Sequence, residues 1–352
     1  ICRNGKAESQ TLALFHEKRD FTLFTLQCHS DLHIFEGYFN LGNGQKMPLP
    51  LPRPFTLGHE IEGEVIAMGP DVPRGKFERG KSYAVYPWIG CEDRKRCVQC
   101  RTDRTNHLCR SPKSKGFTDG KTIYGGYASH SLVPDYRYLI DYEGAVPRGL
   151  GGVYMYSGLT AFSALKKVLR HHEGIINSSD VMILGLGGLG FQGLCFAEAM
   201  LGGMPCVADI DEEKLAEARK RGCRTYNTKS KDAAKRVKAD SFDGTGIGAV
   251  IDFVGASATH NFAEQVLRKG GLSVVVGLFG GMVQKSLVMT PLQARSTVGA
   301  FVGSFEDAHE MMDVLRKNNI PPPPHHFRSI SEASKSLYDL RDGKIMGRCI
   351  FR

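Results

Sequence analysis

Val181-Met182-Ile183-Leu184-Gly185-Leu186-Gly187-Gly188-Leu189-Gly190 is the stretch that decides the fold. Four apolar residues read as a buried strand, the glycines as a tight turn, and Phe191 to Met200 as a helix. The glycines keep the G-x-G-x-x-G order. The first permits the turn, the second lets backbone approach a diphosphate, and the third lets helix lie close on strand. The helix N-terminus offers unpaired N–H groups and the positive end of its dipole to the same anion. A second apolar run, Cys206-Val207-Ala208, ends in Asp209, placed to accept hydrogen bonds from an adenosine ribose. Glycine-rich turns alone are common in α/β proteins, but strand, turn, helix, strand and acid in this order read as a dinucleotide site. The Asp209 carboxylate repels a 2′-phosphate, and no Arg follows it in Ile210-Asp211-Glu212, so NAD is favoured over NADP.

Outward from this stretch, strand and helix alternate from Gly158 on. Leu159–Leu169 is helical, followed by Val181–Leu184, Leu194–Leu201, Lys214–Lys220, Val250–Phe253, Phe262–Arg268 and Leu272–Gly277. Alternation of that kind predicts a doubly wound parallel sheet. The first 150 residues differ: short strand-like phrases such as Ile61–Ile66 and Ser82–Tyr86, broken by Gly and Pro, predict an irregular β-rich domain. After Thr297 a helix is expected over Phe305–Lys317, then the stiff spacer Pro321–Pro324, a helix over Ser331–Leu340 and a terminal strand near Cys349–Phe351. The expected division is 1–157 for the β-rich domain, 158–300 for the dinucleotide-binding domain, and 301–352 for a segment returning to the first.

A chain of 352 residues is long enough for two cores, and no apolar run approaches the length of a membrane span. The formal charge of +9 comes from Lys and Arg spread among acids, which reads as a solvated surface rather than a nucleic-acid face. Ten cysteines with no secretory leader read as thiols or metal ligands, which places the protein in the cytoplasm. Cys2, Cys195, Cys206, Cys223 and Cys349 read as packing residues.

Two groups have metal-ligand chemistry. Cys28 and His59 are a thiolate and an imidazole, the donor types zinc prefers. Cys91, Cys97, Cys100 and Cys109 place four sulfurs within nineteen residues, with a C-x-x-C pair at 97–100, as a closed structural zinc site requires.

Cys28-His29-Ser30-Asp31-Leu32-His33, Gly58-His59-Glu60, the lobe Cys91–Cys109, Gly158-Leu159-Thr160-Ala161 and the glycine turn together resemble the zinc-dependent medium-chain alcohol dehydrogenases. The resemblance runs in order from Cys28 to Arg348. It implies a GroES-like catalytic domain joined to a Rossmann domain, and hydride transfer between a primary or secondary alcohol and NAD, giving aldehyde or ketone. It further implies one catalytic and one structural zinc, and a homo-oligomer, dimer or tetramer, in which Leu272–Leu278 lies in a sheet shared between subunits.

By the same resemblance Cys28 and His59 are catalytic ligands, Glu60 a carboxylate near the metal, and Asp31 the acid that orients His59. Ser30 and His33 match a proton relay. His29 and Arg348 match contacts to the cofactor diphosphate, Thr160 opens the helix before the glycine turn, and Lys214 lies near the adenosine. Trp88 and Phe39 match the wall of the alcohol pocket.

Two departures stand out. The family's third ligand, usually Cys, falls four residues before Thr160, and here that residue is Tyr156. Either Tyr156 ligates through oxygen, or Glu60 or water fills the place, or the site binds zinc weakly, or the sequence is in error there. A zinc-free reductase of quinone or enoyl type, or a non-catalytic nucleotide-binding relative, stays open for the same reason. In the lobe, five and eight residues separate the outer ligand pairs, where the family pattern has two and seven.

Overall fold

The computed structural model describes residues 12–15, 23–49, 55–78, 80–113, 125–173 and 176–352. Cys2 lies outside them. In chain order the strands are β1 (Leu12–Phe15), β2 (Phe24–Leu26), β3 (Tyr38–Gly42), β4 (Gln45–Pro48), β5 (Glu60–Met68), β6 (Ser82–Val85), β7 (His130–Val133) and β8 (Leu139–Ile140). There follow β9 (Val181–Leu184), β10 (Cys206–Asp209), β11 (Thr225–Asn227), β12 (Ile247–Asp252), β13 (Leu267–Val275), β14 (Ser296–Gly299), β15 (His325–Arg328) and β16 (Arg348–Phe351).

Contacts divide the chain into two units. One comprises Ile1–Gly37, Pro50–Leu159 and Gly303–Arg352; the other comprises Tyr38–Leu49 and Thr160–Val302. The hairpin β3–β4, expected with the first domain, groups with the second. There is no room for side chains where it meets the second unit's backbone: a Cβ at Gly42 would stand 2.8 Å from Gly281, and one at Gly280 would stand 2.1 Å from the Asn40 carbonyl.

In the first unit β15-β16-β2-β5-β1-β7 form one sheet, with β6 bridging β5 and β8. Leu23, Ile61, Tyr83, Val85, Val133 and Leu139 fill its core. Two registers matter for the site. β2 and β5 run antiparallel with Leu26 opposite Glu60, so Cys28, two residues past Leu26, meets His59 and Glu60 across some thirty residues of chain. β16 pairs the other edge of β2 with Ile350 opposite Leu26, which carries Arg348 to the same end.

In the second unit β11-β10-β9-β12-β13-β14 form a sheet whose pairs are all parallel. Numbered along the chain, this is the order 3-2-1-4-5-6 of a doubly wound dinucleotide fold. Both faces of the central strands are covered, which is why β9, β10 and β12 are buried along their whole length. Ile183 and Val207 pack on one side against Phe191 and Leu194 of helix Gly188–Leu201 and Leu215 of helix Glu212–Lys220. Met182, Leu184 and Val250 pack on the other against Val237 of helix Ala233–Ala239 and Ala263 of helix Ser257–Val266. Burying each large apolar side chain contributes about 1.5–3 kcal/mol. The helix expected to run to Arg268 stops at Val266, and Leu267 opens β13 instead. Val266 and Leu267 are both fully buried, so the apolar pattern passes across the boundary without marking it.

Candidate functional site

Cys28 caps the helix His29–Glu36, and Asp31 in its first turn closes a capping box. The Cys28 N–H donates to Asp31 Oδ2 at 3.0 Å while the Asp31 N–H donates to the Cys28 carbonyl at 3.0 Å. Asp31 is fully buried and does more than cap. Its Oδ1 accepts the Gly58 N–H at 3.1 Å and His59 Nδ1 at 3.1 Å, and its Oδ2 accepts the Tyr127 hydroxyl at 3.4 Å. A carboxylate can only accept, so Nδ1 keeps its proton and Nε2 is the ring nitrogen open to a metal or to a second proton. Nε2 is buried and has no hydrogen-bond partner. Burial opposes a charge on this ring, but the Asp31 carboxylate and the Cys28 sulfur outweigh it and hold the imidazole well above its ordinary value.

The Cys28 sulfur, a His59 ring nitrogen and a Glu60 carboxylate oxygen lie within 4.8 Å of one another, all buried. Glu60 accepts the Ser157 N–H at 3.2 Å and pairs with the buried Arg348 guanidinium. Burial raises its pKa against the pull of Arg348. Tyr156 stands beside this trio, its hydroxyl 2.7 Å from Ser30 Oγ. Its ring meets His59 edge-on at 4.3 Å and stacks on Trp88 at 5.8 Å. Burial, and then the Cys28 charge, push its phenol above the usual tyrosine range. An orphaned buried imidazole nitrogen flanked by a thiol and a carboxylate fits a zinc ion.

Cys91, Cys97, Cys100 and Cys109 also converge, all four sulfurs within 4.8 Å of one another. Cys91 and Cys100, and Cys97 and Cys109, are each 3.7 Å apart. The extra residues between Cys91 and Cys97 loop out as a turn in which the Cys97 N–H bonds the Asp93 carbonyl at 2.9 Å, so the longer spacing leaves the sulfurs together. A backbone N–H at Cys100 lowers the Cys97 thiol to about 7, and burial pushes Cys100 up to about 12. Four sulfurs, with no fifth donor grouped with them among the described residues, fit a closed structural zinc.

In the second unit the glycine turn has the geometry its sequence implies. Gly185 takes φ +91°, and a Cβ at Gly190 would lie 1.9 Å from the Gly185 carbonyl oxygen. At Gly187 a Cβ would meet nothing within 4 Å, which leaves the backbone open to a diphosphate at the start of the fourteen-residue helix Gly188–Leu201. Asp209 ends β10 and is bound into the turn: Oδ2 accepts the Leu186 N–H at 2.5 Å and Oδ1 the Asp211 N–H at 2.9 Å. Lys214 pairs with Asp211 at 3.5 Å, and Thr160 is buried. The residues present fit a dinucleotide.

Cys28, Ser30, Asp31, His59, Glu60, Tyr156, Trp88 and Arg348 are thus gathered in the first unit, with Arg348 bound to Glu60. His29 is exposed at the N-terminus of its helix, and His33 is half-buried one turn on, its pKa lowered by burial despite Glu36. Phe39 lies on β3 in the second unit. Tyr127 was not singled out in the sequence. The signal was Gly125-Gly126 just before it: Cβ atoms there would strike the Thr56 carbonyl at 2.0 Å and Thr25 Oγ1 at 2.5 Å, so only glycines let this loop bond the backbone of Leu57 and Gly58.

Residues 23–143 match the alcohol dehydrogenase GroES-like domain family and residues 188–317 the zinc-binding dehydrogenase family. An NAD-dependent alcohol dehydrogenase of Sulfolobus acidocaldarius is 31% identical over 328 residues, covering 92% of this chain and 89% of its own. Among solved structures, the alcohol dehydrogenase of Aeropyrum pernix superposes with a TM-score of 0.80 at 21% identity, over 100% of this chain and 94% of that one. The acetophenone reductase of Geotrichum candidum in complex with NAD superposes with a TM-score of 0.75 at 24% identity, over 99% and 98%.

Proposed function

Because this chain belongs to the zinc-dependent medium-chain alcohol dehydrogenase family, we propose that it moves a hydride between a primary or secondary alcohol and NAD, giving an aldehyde or ketone. The observation that carries the reading is the free, buried Nε2 of His59 set between the Cys28 sulfur and the Glu60 carboxylate.

Alcohol oxidation takes a proton from oxygen and a hydride from carbon. When bound, zinc supplies the Lewis acidity that lets a neutral alcohol give up its proton near pH 7, and NAD supplies the hydride acceptor. The chain's own residues do the rest. Cys28 and His59 hold the metal, with Asp31 fixing the His59 tautomer and ring. Ser30 Oγ receives the alcohol proton, and His33, three residues on along the same helix face, takes it toward solvent. Burial keeps His33 neutral and ready to accept.

The Gly185–Gly190 turn and the helix behind it hold the cofactor diphosphate, Asp209 receives the adenosine ribose, and Lys214 lies at its edge. His29, Thr160 and Arg348 are assigned to the cofactor on the resemblance. The lobe of Cys91, Cys97, Cys100 and Cys109 holds a second, structural zinc.

The chain assembles as a homo-oligomer in the cytoplasm. Supporting assembly, the outer edge of β14 pairs with no strand among the described residues, and Leu287, Val288 and Leu292 just before it are exposed. Supporting the compartment, the nine described cysteines are all free thiols. No described helix is long and apolar enough to cross a membrane. A single-chain mass in solution would remove the oligomer.

The test of function is NADH formation by the purified chain on a panel of primary and secondary alcohols, alongside Cys28→Ala and His59→Ala. Activity in the wild type and its loss in both variants, with NADH binding kept, is expected. Turnover in both variants refutes the zinc mechanism.

A further inference from the structure

We propose that Asn106, a residue of the cysteine lobe that belongs to no metal motif, is a positioning residue for the alcohol: it fixes Trp88, and the lobe thereby sets the wall of the pocket. The inference rests on the reading of this site as an alcohol site with Trp88 in that wall.

Asn106 is 5% exposed, and its backbone carbonyl accepts the Cys109 N–H at 3.1 Å, which anchors it in the lobe. Its side chain bonds outside the lobe. Oδ1 accepts the Phe305 N–H at 3.1 Å, at the start of helix Phe305–Asn318, and Nδ2 donates to the Trp88 carbonyl at 3.2 Å. The contact of Nδ2 with the Tyr86 hydroxyl, at 3.4 Å, is too long to weigh heavily. A backbone N–H only donates and a carbonyl only accepts, so the amide fits in one orientation. No other side chain of its size offers a donor and an acceptor side by side.

The segment that carries Trp88 runs directly into the lobe. A Cβ at Gly90 would stand 2.5 Å from Cys100 Sγ, and the Cys91 N–H donates to Cys109 Sγ at 3.4 Å, so this backbone is seated on lobe sulfurs as well as on Asn106. On its other side the Trp88 ring stacks on Tyr156 at 5.8 Å, and the Tyr156 hydroxyl lies 2.7 Å from Ser30 Oγ. A shielded carbonyl stripped of its donor costs free energy until it finds another. Trp88 cannot shift to do so without moving the ring that Tyr156 packs on.

A bond from Asn106 to the helix alone is the simpler account, and Asn106→Asp separates the two. It keeps an oxygen for the Phe305 N–H and brings a negative charge to a helix N-terminus, which favours the helix, but it removes the donor to Trp88.

The experiment measures acrylamide quenching of Trp88, the one tryptophan, in the full chain, together with kcat and KM for an alcohol and for NAD. In Asn106→Asp quenching is expected to rise, and the alcohol KM to rise by up to about tenfold, the worth of one neutral hydrogen bond, with kcat and the KM for NAD changed by less than about twofold. Asn106→Ala, which adds no charge, is expected to do the same and decides the matter should Asn106→Asp not fold. Arg104→Ala, which cuts the exposed bond from the lobe to Glu306 at 2.8 Å, is expected to match wild type throughout. Wild-type quenching in the Asn106 variants overturns the proposal, as does raised quenching with an unchanged alcohol KM, and as does the same effect in Arg104→Ala. Quenching needs no substrate: a wild type that oxidises no alcohol defeats the proposed function, while raised quenching in Asn106→Asp still ties Trp88 to the lobe.

Discussion

Asp31→Asn tests the node on which the metal site depends. The substitution keeps volume but leaves one accepting oxygen where the carboxylate had two. If the amide oxygen keeps the Gly58 N–H and His59 Nδ1, the new NH2 group faces the Cys28 N–H, donor against donor. The Tyr127 contact, at 3.4 Å, is too long to weigh heavily. A buried donor left without an acceptor costs about 1–3 kcal/mol, so a loss of roughly 2 kcal/mol is expected, near thirtyfold in the folded-to-unfolded ratio. Turning the amide the other way moves the penalty to His59 and loosens the ligand itself.

Loss of a partner that orients a metal-bound histidine typically weakens metal binding by about 10–100-fold. Two assays read the two effects. Trp88 is the chain's one tryptophan and stacks on Tyr156, so its fluorescence in a urea titration follows the first unit. Competition with a chromophoric chelator gives the affinity of the weaker zinc. Stability within about 0.5 kcal/mol of wild type together with unchanged zinc affinity would refute the role given to Asp31.

Gly190→Ala puts a methyl 1.9 Å from the Gly185 oxygen; the turn must open, at about 1–3 kcal/mol, and calorimetry with NADH should show both a lowered melting temperature and weakened cofactor binding. Asp209→Asn removes the charge that repels a 2′-phosphate while keeping one accepting oxygen for the Leu186 N–H. The NADP-to-NAD ratio of kcat/KM should rise by roughly tenfold, and an unchanged ratio removes Asp209 from that role. Burial lowers the pKa of His33 from its ordinary 6.5, so a relay that needs the neutral ring should lose activity only below pH 6.5. The acid limb should disappear in His33→Gln, and an acid limb that persists there would exclude His33 from the relay.

How far the sequence could be read depended on how far apart the interacting residues lie. The glycine turn, its strand and its helix are contiguous, and their backbone demands are written in neighbouring positions; Gly185 and Gly190 behave as their spacing implies. The site in the first unit is different. Cys28 and His59 are joined by the register of two short strands, Leu26 opposite Glu60, and no local pattern encodes a register between strands of three and nine residues. Family resemblance, rather than periodicity, made that pair visible. The hairpin β3–β4 was misplaced for a related reason: its partner is backbone some 240 residues away, reached through Gly42 and Gly281.

Tyr156 marks the limit of motif reading. A motif names a position and an expected residue, and when the residue differs it offers only alternatives. What separates them is the identity of the neighbours: the Ser30 hydroxyl at 2.7 Å, two rings that hold the phenol in place, and a carboxylate at the adjoining position of β5 with lone pairs uncommitted. All of these neighbours lie far from Tyr156 in the chain, and the adjacent Ser157, whose N–H bonds Glu60, ties the segment to β5. With tyrosine at this position, Asp31 still holds His59 Nδ1 at 3.1 Å and Arg348 still pairs with Glu60, so the buried contacts on either side of the phenol form without it.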